Sequence, residues 1–162
     1  MPVARTVNPL KNEAEVLAVA LEVGAASVSD VVAWADAVIA TEEHPHWSVC
    51  DLATMGASYD PEVVHALREV PGLVDQEWVR DELVRRLAQG LAEHHTRADR
   101  IASALHQLAL ANKLPEGELR SLAWWAWDAL DLAEQRTIEE TRDQVVAEMI
   151  AALSNAASKS QR

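Results

Sequence analysis

Leu119-Arg120-Ser121-Leu122-Ala123-Trp124-Trp125-Ala126-Trp127-Asp128-Ala129-Leu130-Asp131-Leu132-Ala133-Glu134 decides how this chain is read. At about 100° per residue, one arc of a helix carries Leu119, Leu122, Ala123, Trp125, Ala126, Ala129, Leu130, Leu132 and Ala133, a wide apolar face of the kind that buries against neighbouring helices. The opposite arc carries Arg120, Asp128, Asp131 and Glu134, with Trp124 and Trp127 among them. Trp125 is therefore expected in the core, and its two neighbours on the charged side. Two indoles ringed by carboxylates have the composition of a contact site, because tryptophan is enriched where partners anchor. The alternative is that another helix, the last one, covers that face.

Working outward, the same helical periodicity recurs along the chain. Asn8-Pro9 supplies a cap followed by proline at the first helical position, Leu10, Ala14, Leu17 and Leu21 follow at helical spacing, and Gly24 stops the run. Ser27 with Asp30 forms a capping-box pattern ahead of Val31, Trp34, Ala35, Val38 and Ile39. A short helix is expected from His46 to Met55, a fourth after Asp60-Pro61, and a fifth from Asp75 to Gln89 with Gly90 as its stop. Thr96 is expected to cap the sixth helix, and Thr137-Ile138-Glu139-Glu140 to open the eighth. Residues 1–7 and the end of the chain from Ser154, including 155–162, are expected to fray. No stretch alternates apolar and polar residues, so an all-α fold of about eight helices in one domain over 1–162 is expected.

The helix spacing, about 33 to 41 residues between alternate helices, suits stacked antiparallel hairpins in a short HEAT-like solenoid, and Val64 to Gly90 resembles one HEAT-type pair. An irregular helical bundle is the other arrangement the pattern allows.

The chain has 162 residues and a net charge of −12, with no Phe, one Tyr and six Trp. An acidic surface repels a phosphate backbone, which disfavours nucleic acid and favours a basic protein partner. No charged start precedes an apolar run, and no segment approaches the roughly 18 apolar residues of a membrane span, so a cytoplasmic protein without membrane attachment is expected. Cys50 is the sole cysteine, which rules out an intramolecular disulfide.

Three constellations invite a chemical reading. His44, His46 and Cys50 offer three ligands within seven residues, but zinc needs about four convergent ones, and Pro45 reads more naturally as a helix-start turn. His95 and Asp99 have the spacing of an oriented base, as do exposed pairs in any loop. The carboxylates Asp128, Asp131, Glu139, Glu140 and Asp143 lack the Glu-x-x-His partners of a two-metal bundle site. Cys50, among Trp47, Val49 and Leu52, reads as a buried, inert thiol. No phosphate-binding glycine loop or nucleophile elbow occurs. Neither a cofactor nor a metal is expected, and the candidate partner-binding residues are Trp124, Trp127, Asp128, Asp131 and Trp78, the last on a polar helix face near Glu82 and Arg85.

Val28-Ser29-Asp30-Val31-Val32-Ala33-Trp34-Ala35-Asp36-Ala37-Val38-Ile39, running on to Asp51-Leu52-Ala53, is similar to the start of small bacterial helical proteins of an uncharacterised family. Trp127-Asp128-Ala129-Leu130-Asp131-Leu132-Ala133 is similar to a second segment of that group, some of whose members resemble toxin-immunity proteins. The resemblance covers about a third of the chain and implies a toxin-immunity role. With the net charge of −12, the absence of a catalytic set and the carboxylate-flanked Trp124 and Trp127, the expectation is a non-enzymatic protein that neutralises a basic partner such as a toxin. The competing expectations are a helical-repeat adaptor that meets a peptide on its inner curve, and a metal-dependent enzyme built on His44, His46 and Cys50.

Overall fold

The computed structural model describes residues 8–159. They form eight α-helices: α1 (Pro9–Glu22), α2 (Val28–Thr41), α3 (Trp47–Ala53), α4 (Asp60–Arg68), α5 (Gln76–Glu93), α6 (Ala98–Leu110), α7 (Glu118–Glu134) and α8 (Arg142–Lys159), with a 3-10 turn at His95–Arg97. No strand occurs among the described residues, so the fold is all-α as the periodicity indicates. Among them, no helix is long and apolar enough to cross a membrane. The contacts fall into two compact units that divide between Val79 and Arg80.

In the first unit α1 packs on α4, α2 on α3, and α3 on α4. Its core joins Ala14, Leu17, Ala18 and Leu21 of α1 to Val31 and Ala35, Val49 and Leu52, and Val63, Val64, Leu67 and Val70. Asn8 caps α1 with its Oδ1 on the Leu10 N–H at 3.1 Å. The Ser27–Asp30 box is fully formed at the start of α2. More of α1 is buried than a single amphipathic stripe requires, because Val16, Val19 and Ala20 are enclosed as well. Three polar side chains of α1 go down with it, and each finds a partner in α4 or the segment after it. Lys11 Nζ donates to the Arg68 carbonyl at 2.5 Å, Asn12 Oδ1 accepts from the Asp75 N–H at 2.8 Å, and Glu15 lies 3.5 Å from Arg68 Nε. Buried polar groups are tolerated when they are partnered in this way.

The turn Pro71-Gly72 presses against the start of α1, where Asn8 Nδ2 donates to the Pro71 carbonyl at 3.0 Å. Gly72 has φ +133°, and a Cβ there would sit 2.8 Å from Asn8 Cβ and 3.0 Å from Lys11 Cβ. Glycine is required at this position both by backbone conformation and by space.

In the second unit α7 packs on both α6 and α8. Alanine at 123, 126, 129 and 133, together with Leu119, Leu122 and Leu130, forms its buried side. α6 contributes Ile101, Ala102, Ala104, Leu105, Leu108 and Ala109, and α8 contributes Val145, Val146, Met149, Ala152 and Leu153.

Several helix ends differ from the sequence reading. α5 continues past Gly90 to Glu93, since one glycine inside a helix costs only about 1 kcal/mol. Thr96 lies in the 3-10 turn and does not cap α6, whose N-cap is Arg97 without a side-chain bond. Tyr59, not Asp60, is the N-cap of α4. The start of α8 moves from the Thr137 box to a second one, in which the Thr141 N–H donates to Gln144 Oε1 at 2.7 Å and the Gln144 N–H to Thr141 Oγ1 at 3.3 Å. Thr137 is occupied elsewhere. Its N–H donates to the Leu132 carbonyl at 2.9 Å, and Arg136, with φ 56°, closes α7 in the left-handed conformation. That Schellman-type stop ties Thr137 to the preceding helix. α8 runs beyond Ser154 to Lys159, so residues 154–159 are helical where fraying was expected; 1–7 and 160–162 lie outside the described residues.

Candidate functional site

The outward side of α7 follows from its packing on α6 and α8 through one arc. Its buried residues, from Leu122 and Ala129 round to Ala123, occupy roughly 120° of the circumference at about 100° per residue. The arc opposite them carries Trp124, Trp127, Asp128 and Asp131, spaced i, i+3, i+4 and i+7, which places all four on one stripe. Trp124 is 49% exposed and Trp127 52%, and both aspartates are exposed. The last helix does not cover these indoles, although it packs on α7.

Trp125 departs from its expected place, since it is 40% exposed. It sits at the rim of the apolar arc, where the smaller Ala129 is already the edge of the buried side, and its ring is too large to follow.

The stripe has a built surround. His106, one helix earlier, meets Trp124 with ring centroids 5.4 Å apart and an interplanar angle of 86°, and Trp127 at 6.3 Å and 43°. Edge-to-face contact of this kind orients an indole that would otherwise rotate. Nothing in the spacing of α6 singles out His106, because no local signal announces a partner 18 or more positions away. Leu110, one turn further along α6, is also exposed. Asp131 Oδ2 accepts from Gln135 Nε2 at 2.9 Å, which limits its rotamers. Arg120, the cation on this side of α7, is drawn back into the α6–α7 connection, where it donates to Asn112 Oδ1 and to the Leu114 carbonyl and lies 3.7 Å from Glu116. Gly117, with φ 125° and ψ −155°, is the N-cap that turns the chain into α7, a conformation essentially confined to glycine.

Trp78 falls in the first unit and the α7 stripe in the second. It is 39% exposed in the first turn of α5, and its backbone N–H donates to Asp75 Oδ1 at 3.1 Å. Trp47 and Tyr59 are exposed in the first unit as well, and neither was singled out from sequence.

The alternative constellations come apart in the fold. His46 spends Nδ1 on capping α3, accepting from the Ser48 N–H at 3.2 Å with Ser48 Oγ at 2.7 Å. Among the described residues, no group of three or more His, Cys, Asp or Glu side chains comes together to hold a metal ion. Cys50 is exposed, not buried, because Val49 and Leu52 take the inward positions of a helix only two turns long. Asp99 engages Arg142, which donates to it through both terminal nitrogens, so it does not serve His95. That pairing holds the Arg142 proton more firmly than usual.

A recess of about 460 Å³ in the first unit is lined by Leu21, Glu22, Asp60, Pro61, Val64, His65 and Arg68. Its guanidinium is already held by Glu22 through two hydrogen bonds, at 2.8 and 2.9 Å. The α7 stripe, with four residues on one face and His106 against both indoles, is the more developed contact surface.

No family model, no curated protein and no solved structure matches the chain.

Proposed function

We propose that the chain is a non-enzymatic binding protein whose α7 stripe docks a basic protein, in the manner of a cytoplasmic immunity protein neutralising a bacterial toxin domain. The observation that carries this reading is the stripe itself: two half-exposed indoles on a helix flanked by the carboxylates of Asp128 and Asp131. Half-exposed tryptophans on a rigid helix can anchor a partner, because their apolar area is already ordered and loses little entropy on binding. A net charge of −12 favours encounter with a cationic surface. The toxin in this proposal rests on the sequence resemblance in α2, α3 and α7.

The test is to purify the chain with the product of the reading frame next to its own and to follow binding by calorimetry and stopped flow. Trp124→Ala with Trp127→Ala is expected to weaken the complex by about 2 kcal/mol or more. Asp128→Asn with Asp131→Asn is expected mainly to slow association and flatten its salt dependence. A complex whose affinity and rate are unmoved by both double variants would reject α7 as the docking face.

A further inference from the structure

We propose that the group taken by the α7 stripe is an arginine side chain of the partner, its guanidinium plane laid on the Trp124 and Trp127 indoles and its N–H groups donating to Asp128 and Asp131. This rests on the docking reading above and deepens it, from a basic partner to a particular cation.

The argument starts from the spacing. Trp124 and Asp128 are one turn apart, as are Trp127 and Asp131, so each indole has a carboxylate beside it on the same face. The aromatic faces attract a cation through the ring quadrupole, and the carboxylates attract it by charge. A lysine ammonium satisfies the second attraction as a strongly hydrated point, whereas a planar, weakly hydrated guanidinium can stack and donate in its own plane at once. The site is prepared for this: His106 braces both indoles, Gln135 holds Asp131, and Arg120 is engaged with Asn112 and Leu114. Both aspartates and both rings are exposed, so no residue of this chain has to leave before the guanidinium enters.

The experiment titrates the full chain with a capped Gly-Arg-Gly-Arg-Gly peptide and with its lysine counterpart, reading the indole N–H resonances of the six tryptophans. The arginine peptide is expected to bind about two- to fivefold more tightly, with Trp124 and Trp127 moving most. Trp124→Leu with Trp127→Leu keeps apolar bulk without a π face, and is expected to bring the ratio of the two affinities to about one. Equal affinities of wild type for the two peptides, with both weakened by Asp128→Asn and Asp131→Asn, would overturn the arginine assignment and leave acidic docking on α7 standing. Peptide-induced shifts that avoid Trp124 and Trp127 altogether would overturn both.

Discussion

Arg68 holds two carboxylates that differ chiefly in burial, and removing its charge should separate their contributions. The Glu15 side chain is 11% exposed and lies 3.5 Å from Nε, while Glu22 is 38% exposed and makes a bidentate pair at 2.8 Å. Both salt bridges raise the affinity of Arg68 for its proton, the hydrogen bonding it donates to Glu22 most of all. Strength of pairing is nonetheless a poor guide to stability here. An exposed pair is worth about 0.2–1 kcal/mol, because water screens it and both side chains lose freedom. A buried carboxylate left without its cation costs about 3–5 kcal/mol when fully enclosed. Arg68 is itself 39% exposed, so that figure is discounted to roughly 2 kcal/mol. Arg68→Met, which keeps the apolar stem, is therefore expected to cost about 2–3 kcal/mol, against about 1 kcal/mol or less for Glu22→Gln. Arg68→Met combined with Glu15→Gln is expected to recover about 1 kcal/mol of the loss, because no unpaired charge remains under α4. Urea unfolding read by hydrogen exchange at the α1 amides measures each arm of the cycle. High salt should erase the Glu22 contribution and spare that of Glu15. If Glu22→Gln costs as much as Arg68→Met, or if the cycle with Glu15 is additive, burial is not what sets these energies.

Three further outcomes are expected. Gly72→Ala should destabilise the first unit by about 1–3 kcal/mol in denaturant titration, since it forces a side chain into a left-handed φ and against Asn8 Cβ. Thr141→Ala should cost about 1 kcal/mol by loss of the α8 cap, whereas Thr137→Ala should cost under about 0.5 kcal/mol; equal losses would return the helix start to Thr137. Glu82 accepts from Arg85 and Arg86, and the hydrogen bond with Arg85 is the largest influence holding its carboxyl below the ordinary range. A depressed folded value stabilises the protein above the unfolded carboxylate value and ceases to do so as pH falls through the folded one. The stability gap between wild type and Glu82→Gln, about 0.5–1 kcal/mol at pH 7, should therefore close on acidification; a gap that widens would reverse the sign.

Most of the fold was legible because helices announce themselves locally. Asn8-Pro9, Ser27–Asp30, the leucine spacing of α1 and the apolar arc of α7 need no distant partner to be read. The start of α8 moved because two local signals competed: Thr137 and Thr141 both offer a box, and the stop at Arg136 decides between them. Gly90 was misread because a helix tolerates one glycine when its neighbours, Leu87 and Leu91, are buried. The candidate site was half legible. Periodicity placed Trp124, Trp127, Asp128 and Asp131 on one face, but whether another helix lay over them is a tertiary fact. His106, which braces both indoles, and Arg68, which ties α4 to α1, act across helices distant in sequence, and no spacing rule reaches them.

The most direct measurement of the central claim, two accessible indoles in a field of carboxylates, needs no partner. Quenching of tryptophan fluorescence by caesium and by iodide is compared between wild type and Trp124→Ala with Trp127→Ala, each rate being referred to free N-acetyltryptophanamide. The emission lost in the double variant is expected to be the part that caesium quenches with preference over iodide, and Asp128→Asn with Asp131→Asn should reduce that preference. Emission from these two indoles that neither ion reaches, or that iodide quenches as readily as caesium, would contradict a cation-seeking face on α7.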